Sequence, residues 1–200
     1  MSIEKALKDA KPTALPFVVG LSIYSIVGAI VFYSFGKEDA HLVLNGYHTP
    51  YLALFFKYVT HVGHGFVPII VFHLLLFVRY SWALGFGVSS LVMGIVVQTL
   101  KRSVFAGDHR PAMLFSEGGL PQIEGVDLML HHSFPSGHSA TGFCLCLMLA
   151  FFSKQKWANY FFMVLALLIA FSRVYISQHF IQDTVVGSWI GLVLPSLGYV

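Results

Sequence analysis

The chain has 200 residues, of which 56% are hydrophobic and 10% carry a formal charge. Soluble domains carry charges on roughly a quarter of their residues, so this composition excludes a water-soluble globular protein and indicates an integral membrane protein. The net charge of +3 is spread along the chain rather than gathered into one basic surface, which argues against a nucleic-acid partner.

Six apolar segments account for most of the chain. A membrane-spanning helix needs about 20 predominantly apolar residues, and the first three segments reach that length. The last three contain 17, 16 and 17 residues and are slightly short. The six predicted spans are residues 15–35, 58–78, 81–100, 137–153, 157–172 and 184–200.

The residues outside these spans are too few for a separate soluble domain. We therefore predict an all-α fold, an integral membrane bundle of six transmembrane helices that forms a single domain over residues 1–200. The first span is longer than the apolar core of a signal peptide, which has about 7 to 15 residues, so we expect it to be retained. Residues 42–56 are apolar but contain the breakers Asn45-Gly46 and Thr49-Pro50, which favours an interfacial helix over a seventh span.

Basic residues near the spans predict the orientation of the bundle, because short cytoplasmic loops are rich in Lys and Arg. One group falls on a single side, which we predict to be cytoplasmic: Lys5, Lys8, Lys11, Arg79, Lys154 and Lys156. A second group falls on the opposite side, against this bias: Lys37, Lys57, Lys101, Arg102, Arg110 and Arg173. The last four of these are expected to serve a functional site rather than to set the topology.

Three segments border the predicted spans on this outer side, namely residues 100–111, 134–139 and 172–183. They carry cations, histidines, serines and a carboxylate at the membrane boundary, where ionisable groups are costly and commonly mark a functional site. A six-helix bundle can bring the three segments to one point.

Taken singly, the signals in these segments allow more than one interpretation. His179 and Asp183 are four residues apart and share a helix face, either as a surface pair or as a nucleophilic imidazole whose Nδ1 proton the carboxylate accepts. Residues 135–138, Pro-Ser-Gly-His, begin an apolar helix, either as a capped turn or as an anion site made of free N–H groups. Cations suited to phosphate oxygens come from Lys101, Arg110 and Arg173.

Together the three segments resemble the signature of the type 2 phosphatidate phosphatase superfamily, which also contains the vanadium-dependent haloperoxidases. That signature reads Lys-x6-Arg-Pro, then Pro-Ser-Gly-His, then Ser-Arg-x5-His-x3-Asp. The second part matches at residues 135–138, and the third matches at Ser172, Arg173, His179 and Asp183. The resemblance covers residues 100–183.

The first part of the signature is the imperfect one. Arg110-Pro111 is present, but the residue seven positions before Arg110 is Ser103. The available cations are Lys101, with eight intervening residues, and Arg102, with seven, and a loop insertion around residues 106–109 would restore the geometry. We favour Lys101 as the phosphate contact, with Arg102 as its substitute.

The resemblance implies a metal-independent hydrolase that removes a terminal phosphate from a membrane lipid through a phosphohistidine intermediate. It implies that His179 attacks phosphorus, that His138 protonates the leaving oxygen and later deprotonates water, and that Asp183 orients His179. The implied phosphate-binding residues are Lys101, Arg110, Ser136, Gly137 and Arg173. No metal and no cofactor are implied.

Several properties stay open at this stage. The candidate substrates are phosphatidate, phosphatidylglycerophosphate, polyprenyl diphosphate and lipid A phosphates, and nothing in the sequence separates them. We expect a multi-pass protein of a bacterial inner membrane with its active site towards the periplasm, and the bilayer and the lipid substrate as its partners. The sequence leaves the oligomeric state open.

Three alternative functions remain. A lipid phosphotransferase would discharge the phosphohistidine to an acceptor other than water. A haloperoxidase with vanadate in the same cradle is disfavoured, because those enzymes are soluble. A transporter or channel would place ionisable groups at several depths along the spans, whereas here they gather at one boundary.

The remaining polar residues lie in one loop and one span. Residues 112–133 form a long connection, either a gate over the headgroup or a solvated loop. His131-His132 within it are adjacent and point apart, which disfavours a metal site. In the second span we expect His61 and His64 to share a helix face as packing residues rather than to bind a metal or line the pocket. His73 is expected to hydrogen-bond to a neighbouring helix.

Overall fold

The structure, a computed structural model, describes residues 3–115, 119–153 and 155–198. The described part of the chain is helical and contains no β-strand. The helices are α1 (Ile3–Asn45), α2 (Pro50–Val62), α3 (Val67–Val78), α4 (Tyr80–Thr99), α5 (Pro111–Leu114), α6 (Gly137–Ser153), α7 (Lys156–Tyr175) and α8 (Ile181–Gly198). A π-helical turn, Leu100–Val104, extends α4. The predicted all-α fold class is confirmed.

Helix α6 lies at the centre of the bundle. Nearly all its side chains from Ser139 to Phe152 are buried. A helix that is apolar on every side is typical of such a buried position. It contacts α1, α4, α7 and α8, while α2 packs on α7 and α3 packs on α4 at the periphery.

Helices α6 and α8 approach each other closely along a Gly-x3-Gly pair in α8. A Cβ atom at Gly187 would overlap the carbonyl oxygen of Ser136, and one at Gly191 would overlap that of Ala140. Small residues at this spacing let two helix backbones touch, as in many membrane helix pairs. The contact sets the beginning of α8 beside the beginning of α6.

Fewer helices meet the length of a membrane span than the sequence predicts. Among the described residues three do, Pro12–Asn45, Tyr80–Val104 and Lys156–Tyr175, and the pair α2 and α3, bent by 54°, raises this to at most four. Helix α6 has only 17 residues, and α8 carries Asp183 in its first turn. Six full spans are therefore not established. The enclosed α6 does not face lipid, so its length need not match the bilayer.

Two predicted segments are divided differently in the structure. Residues 42–56 do not form one interfacial helix, because α1 ends at Asn45 and α2 begins at Pro50, after the N-cap residue Thr49. The turn residues of the sequence thus separate two helices. The predicted span 58–78 is likewise divided between α2 and α3 by a break at residues 63–66.

Helix α1 contains a kink directly after the predicted first span. Gly36 has φ +79°, a backbone conformation that favours glycine. The segment after the kink packs on the connection between α7 and α8. There His41 Nε2 lies 3.3 Å from Ser177 Oγ, and the Asn45 side-chain amide donates to the Val174 carbonyl at 3.2 Å.

Candidate active site

The three signature segments meet at one end of the bundle. The Ser136 N–H donates to the carbonyl oxygen of Asp183 at 2.9 Å, and Arg110 Nη1 donates to that of Gln178 at 3.1 Å. A cavity of about 1010 Å³ opens at this point. Six of the residues predicted for the site line it: Lys101, Arg110, Gly137, His138, Arg173 and His179.

His179 is held by a carboxylate that has two further partners. Its Nδ1 lies 3.3 Å from Asp183 Oδ2, and the same oxygen accepts from Ser133 Oγ at 2.5 Å and from the Phe180 N–H at 3.1 Å. His179 lies before α8 rather than on the helix face that the four-residue spacing predicted, since α8 begins at Ile181. The carboxylate fixes Nδ1 as the protonated nitrogen and leaves a lone pair on Nε2.

The environment of His179 favours its neutral form. The ring is 1% exposed, and desolvation by burial is the main cause that lowers its pKa well below the usual 6.5. The positive charges of Arg110, Arg173 and Lys101 and the His138 ring lower this pKa further. A neutral imidazole with a free Nε2 lone pair is the form that a nucleophile requires.

The beginning of α6 contributes Gly137 and His138 to the cavity, whereas Ser136 lies behind them. Ser136 is fully buried, and its Oγ accepts from the Ser139 N–H at 3.4 Å and the Ser139 hydroxyl at 2.9 Å. Its side chain therefore caps α6 and does not line the cavity. The first N–H groups of α6 form the anion-attracting end of that helix.

The π-helical turn after α4 distinguishes the two candidate cations of the first motif. Lys101 is 8% exposed and lines the cavity at depth, whereas Arg102 lies exposed at its edge. A π turn holds an extra residue relative to an α turn, and the imperfect motif contains this irregularity. The structure thus sets Lys101 beside the other buried cations.

Gln178 joins the two arginines of the site and was missed by the sequence analysis. Its side-chain oxygen Oε1 accepts from Arg110 Nη1 at 2.9 Å and from Arg173 Nη2 at 3.4 Å. Its amide nitrogen Nε2 donates to the carbonyl of Asp127 at 2.8 Å. Gln178 falls on an unspecified position of the third motif, and only proximity to His179 could have suggested it.

Further partners come from outside the motifs. Arg173 Nη1 donates to Thr60 Oγ1 of α2 at 2.8 Å, and Arg110 Nε donates to the His131 carbonyl at 2.9 Å. Ser133, which donates to Asp183, lies two positions before Pro135, the first residue of the second motif. None of these contacts has a periodicity or spacing that identifies it in the sequence.

The cavity continues from the cations into an apolar groove between α3 and α4. This part is lined by Pro68, Ile69, Phe72, Leu84, Gly87, Val88 and Leu91. A surface of this kind accommodates hydrocarbon, because it offers van der Waals contact and no unpaired polar group. One continuous cavity therefore presents cations at one end and an apolar wall along α3 and α4.

The loop after α5 takes part in the cavity wall. Met129, His131 and His132 line the cavity, and the contacts of Arg110 and Gln178 tie this loop to the site. Part of the predicted gate, including Glu117 and Gly118, lies outside the described residues. Among the described residues, no group of three or more His, Cys, Asp or Glu is arranged to hold a metal ion.

Two expectations about the histidines of the second span are wrong. His61 and His64 do not share a helix, because α2 ends at Val62, and His64 lines the cavity from the break that follows. His73 Nδ1 pairs with the carbonyl of Ile69 in its own helix at 2.7 Å instead of with a neighbouring helix.

Comparison with protein families gives a match over more than half of the chain. The family model described as the PAP2 superfamily matches residues 82–199. The matched region contains all three signature segments and begins after α3.

One curated relative and two solved structures are similar to the chain. Phosphatidylglycerophosphatase B of Bacillus subtilis (strain 168) is 39% identical over 71 residues, which cover 31% of this chain and only 35% of that relative's length. The crystal structure of Aquifex aeolicus LpxE has a TM-score of 0.68 at 25% identity, over 81% of this chain and 93% of the other. The crystal structure of a transmembrane PAP2-type phosphatidylglycerolphosphate phosphatase from Bacillus subtilis has a TM-score of 0.58 at 25% identity, over 91% and 93%.

Proposed function

The chain belongs to the PAP2 superfamily, and we propose that it is an integral membrane phosphatase that removes a terminal phosphate from a lipid. The observation that carries this proposal is a single cavity in which two imidazoles, His138 and His179, lie among buried cations and beside an apolar groove. Such a cavity suits a molecule with a phosphate at one end and hydrocarbon at the other.

The proposed reaction has two steps. In the first, the bound phosphate dianion offsets the charge of the cations and favours a protonated His138. His179 Nε2 then forms a bond to phosphorus, the bond from phosphorus to the lipid oxygen breaks, and His138 gives its proton to that oxygen. In the second, His138 takes a proton from water, the water oxygen bonds to phosphorus, and the bond to His179 breaks. At the end of the second step His179 is free and His138 is protonated, as both were before the reaction.

The remaining residues bind or orient. Lys101, Arg110 and Arg173 hold the equatorial phosphate oxygens, where charge develops in the transition state, together with the N–H groups at Gly137. Asp183 orients His179. The burial of the Ser136 hydroxyl supports a role in holding the start of α6 rather than a direct phosphate contact.

Phosphatidylglycerophosphate is the first substrate to test. The similar proteins from Bacillus subtilis are described as phosphatases of that lipid. Phosphatidate, polyprenyl diphosphate and lipid A phosphates remain on the same panel. We further propose that the site faces the periplasmic side of a bacterial inner membrane, since the order of the spans in the sequence predicts Lys37, Lys57 and the site cations on the side opposite the basic cytoplasmic ends.

The test is release of inorganic phosphate from this lipid panel by purified protein in detergent. The wild type is expected to hydrolyse at least one lipid, and His179→Ala is expected to abolish release. Equal activity of the two proteins would remove His179 as the nucleophile. In ¹⁸O-labelled water, hydrolysis places one solvent oxygen in the released phosphate, whereas transfer to another lipid leaves no labelled phosphate.

A further inference from the structure

The break between α2 and α3 brings the chain unusually close to the site. A Cβ atom at Gly63 would lie 2.8 Å from the His138 carbonyl oxygen and 2.6 Å from Ile169 Cγ2. Only glycine lets the backbone approach the beginning of α6 at this distance. The residue that follows is therefore delivered to the cavity by the bend itself.

That residue is His64, and its ring lies beside His138. The ring centroids are 5.4 Å apart and the planes are nearly perpendicular, at 89°. His64 lies before residue 82, where the family match begins, and it belongs to none of the three signature motifs. Its position follows from the bend, which the apolar pattern of the second span does not require.

The orientation of the His64 ring leaves one nitrogen available. The Phe66 N–H points to His64 Nδ1 at 3.4 Å, and the Phe66 ring packs against the imidazole at 4.6 Å. With Nδ1 as acceptor, the neutral ring carries its proton on Nε2. In the part of the chain that the structure describes, no hydrogen-bond partner is found for this Nε2.

The charge of the cavity exceeds that of one phosphate. Four formal cations line it, Lys101, Arg102, Arg110 and Arg173, and none of its described lining residues is Asp or Glu. A phosphate monoester carries close to two negative charges near neutral pH. A second phosphoryl group on the substrate would balance the remainder better than a neutral alcohol would.

We propose that His64 is a leaving-group residue, which donates its Nε2–H to a phosphoryl oxygen that the leaving group carries. The inference rests on the proposed function, in which His138 protonates the leaving oxygen, so that groups attached to this oxygen lie beside His64. His64 thereby favours lipids with a second phosphoryl group next to the one removed, joined either directly or through a glycerol.

The test compares kcat/KM for three lipids on the wild type, His64→Ala and His64→Gln. Phosphatidate has one phosphoryl group, diacylglycerol diphosphate has two joined directly, and phosphatidylglycerophosphate has two joined by glycerol. His64→Ala should lose roughly ten- to a hundredfold on a lipid with two groups, the cost of a hydrogen bond to a charged group, and less than about twofold on phosphatidate. His64→Gln should recover part of the loss, because its amide donates a proton.

His73→Ala is the matched control, since His73 belongs to the same bent pair and bonds within its own helix. It should behave as the wild type on all three lipids. A loss confined to one of the two-phosphoryl lipids would identify how the groups are joined. Equal losses on all three lipids, or no loss on any, would overturn the proposal.

A binding measurement separates this inference from the proposed function. Methylenediphosphonate, which has two phosphoryl groups, should raise the Tm of the wild type more than that of His64→Ala, while methylphosphonate should raise both equally. Equal shifts with the diphosphonate would overturn the role of His64 even in an active enzyme. If no lipid is hydrolysed but the shifts differ, the proposed function fails and the binding role of His64 stands.

Discussion

Gln178 offers a sharp test of how the two site arginines work. Its oxygen accepts hydrogen bonds from both guanidinium groups, yet the side chain is neutral and leaves their positive charge intact. Gln178→Glu keeps an acceptor at this position but adds a buried negative charge. Gln178→Met is the uncharged control, because it removes the hydrogen bonds to both arginines and to Asp127 without adding a charge.

The expected effect of the added charge follows from its distance to the substrate. One guanidinium group and two hydrogen bonds of about 2.9 Å each separate position 178 from a phosphate in the cavity, so the new carboxylate would lie roughly 8 Å from it. At an effective dielectric constant of about 20, two unit charges at that distance repel by about 2 kcal/mol, and a dianion by about 4 kcal/mol. Phosphate affinity should therefore fall by at least about thirtyfold beyond the loss in Gln178→Met.

The assay is competitive inhibition by orthovanadate, a phosphate analogue, measured alongside KM and Tm. The inhibition constant should rise much more in Gln178→Glu than in Gln178→Met, and added salt should restore little, because Gln178 is only 3% exposed. Equal inhibition constants for the two variants would refute the electrostatic reasoning.

Three further outcomes follow from the contacts of the site and the helix packing. Ser133→Ala should lower kcat by roughly tenfold with little change in KM, because Asp183 loses one bond that orients it; an unchanged kcat in a steady-state assay would contradict this role. Gly187→Ala should lower Tm strongly, since its Cβ would overlap the carbonyl oxygen of Ser136, whereas Gly85→Ala, with nothing within 4 Å, should not. Burial lowers the pKa of His179, so below about pH 6.5 the unfolded chain binds a proton that the folded chain does not. The free energy of unfolding therefore decreases as the pH is lowered. Tm should then decline less between pH 7 and 5 in His179→Asn than in the wild type, and parallel declines would exclude this contribution.

The signature residues could be identified from the sequence, because their order and spacing are properties of the chain itself. His138, His179 and Asp183 follow from two motifs that match without a departure, and the structure sets both imidazoles at one cavity. The direction of the Ser136 side chain could not be predicted from the sequence. The motif allowed its hydroxyl to face either the cavity or the helix. In the structure it accepts a hydrogen bond from Ser139 and caps the helix.

The second predicted span shows the limit of hydropathy in another way. Its apolar run reads as a continuous helix, since a window of average hydropathy does not register a bend. The structure divides it because Gly63 packs against the backbone of α6, far away in sequence. The same contact places His64 at the site.

The sequence by itself determined the membrane class, the helical fold and the identity of the signature residues, because composition, apolar run length and residue spacing are local. Only the tertiary structure decided which of those residues reach the cavity, which helices have the length of a span and which other side chains complete the site. Ser133, Gln178 and Thr60 contact the signature residues across long sequence separations. Such contacts depend on how the helices pack, and helix packing is set by many weak apolar contacts that no single segment specifies.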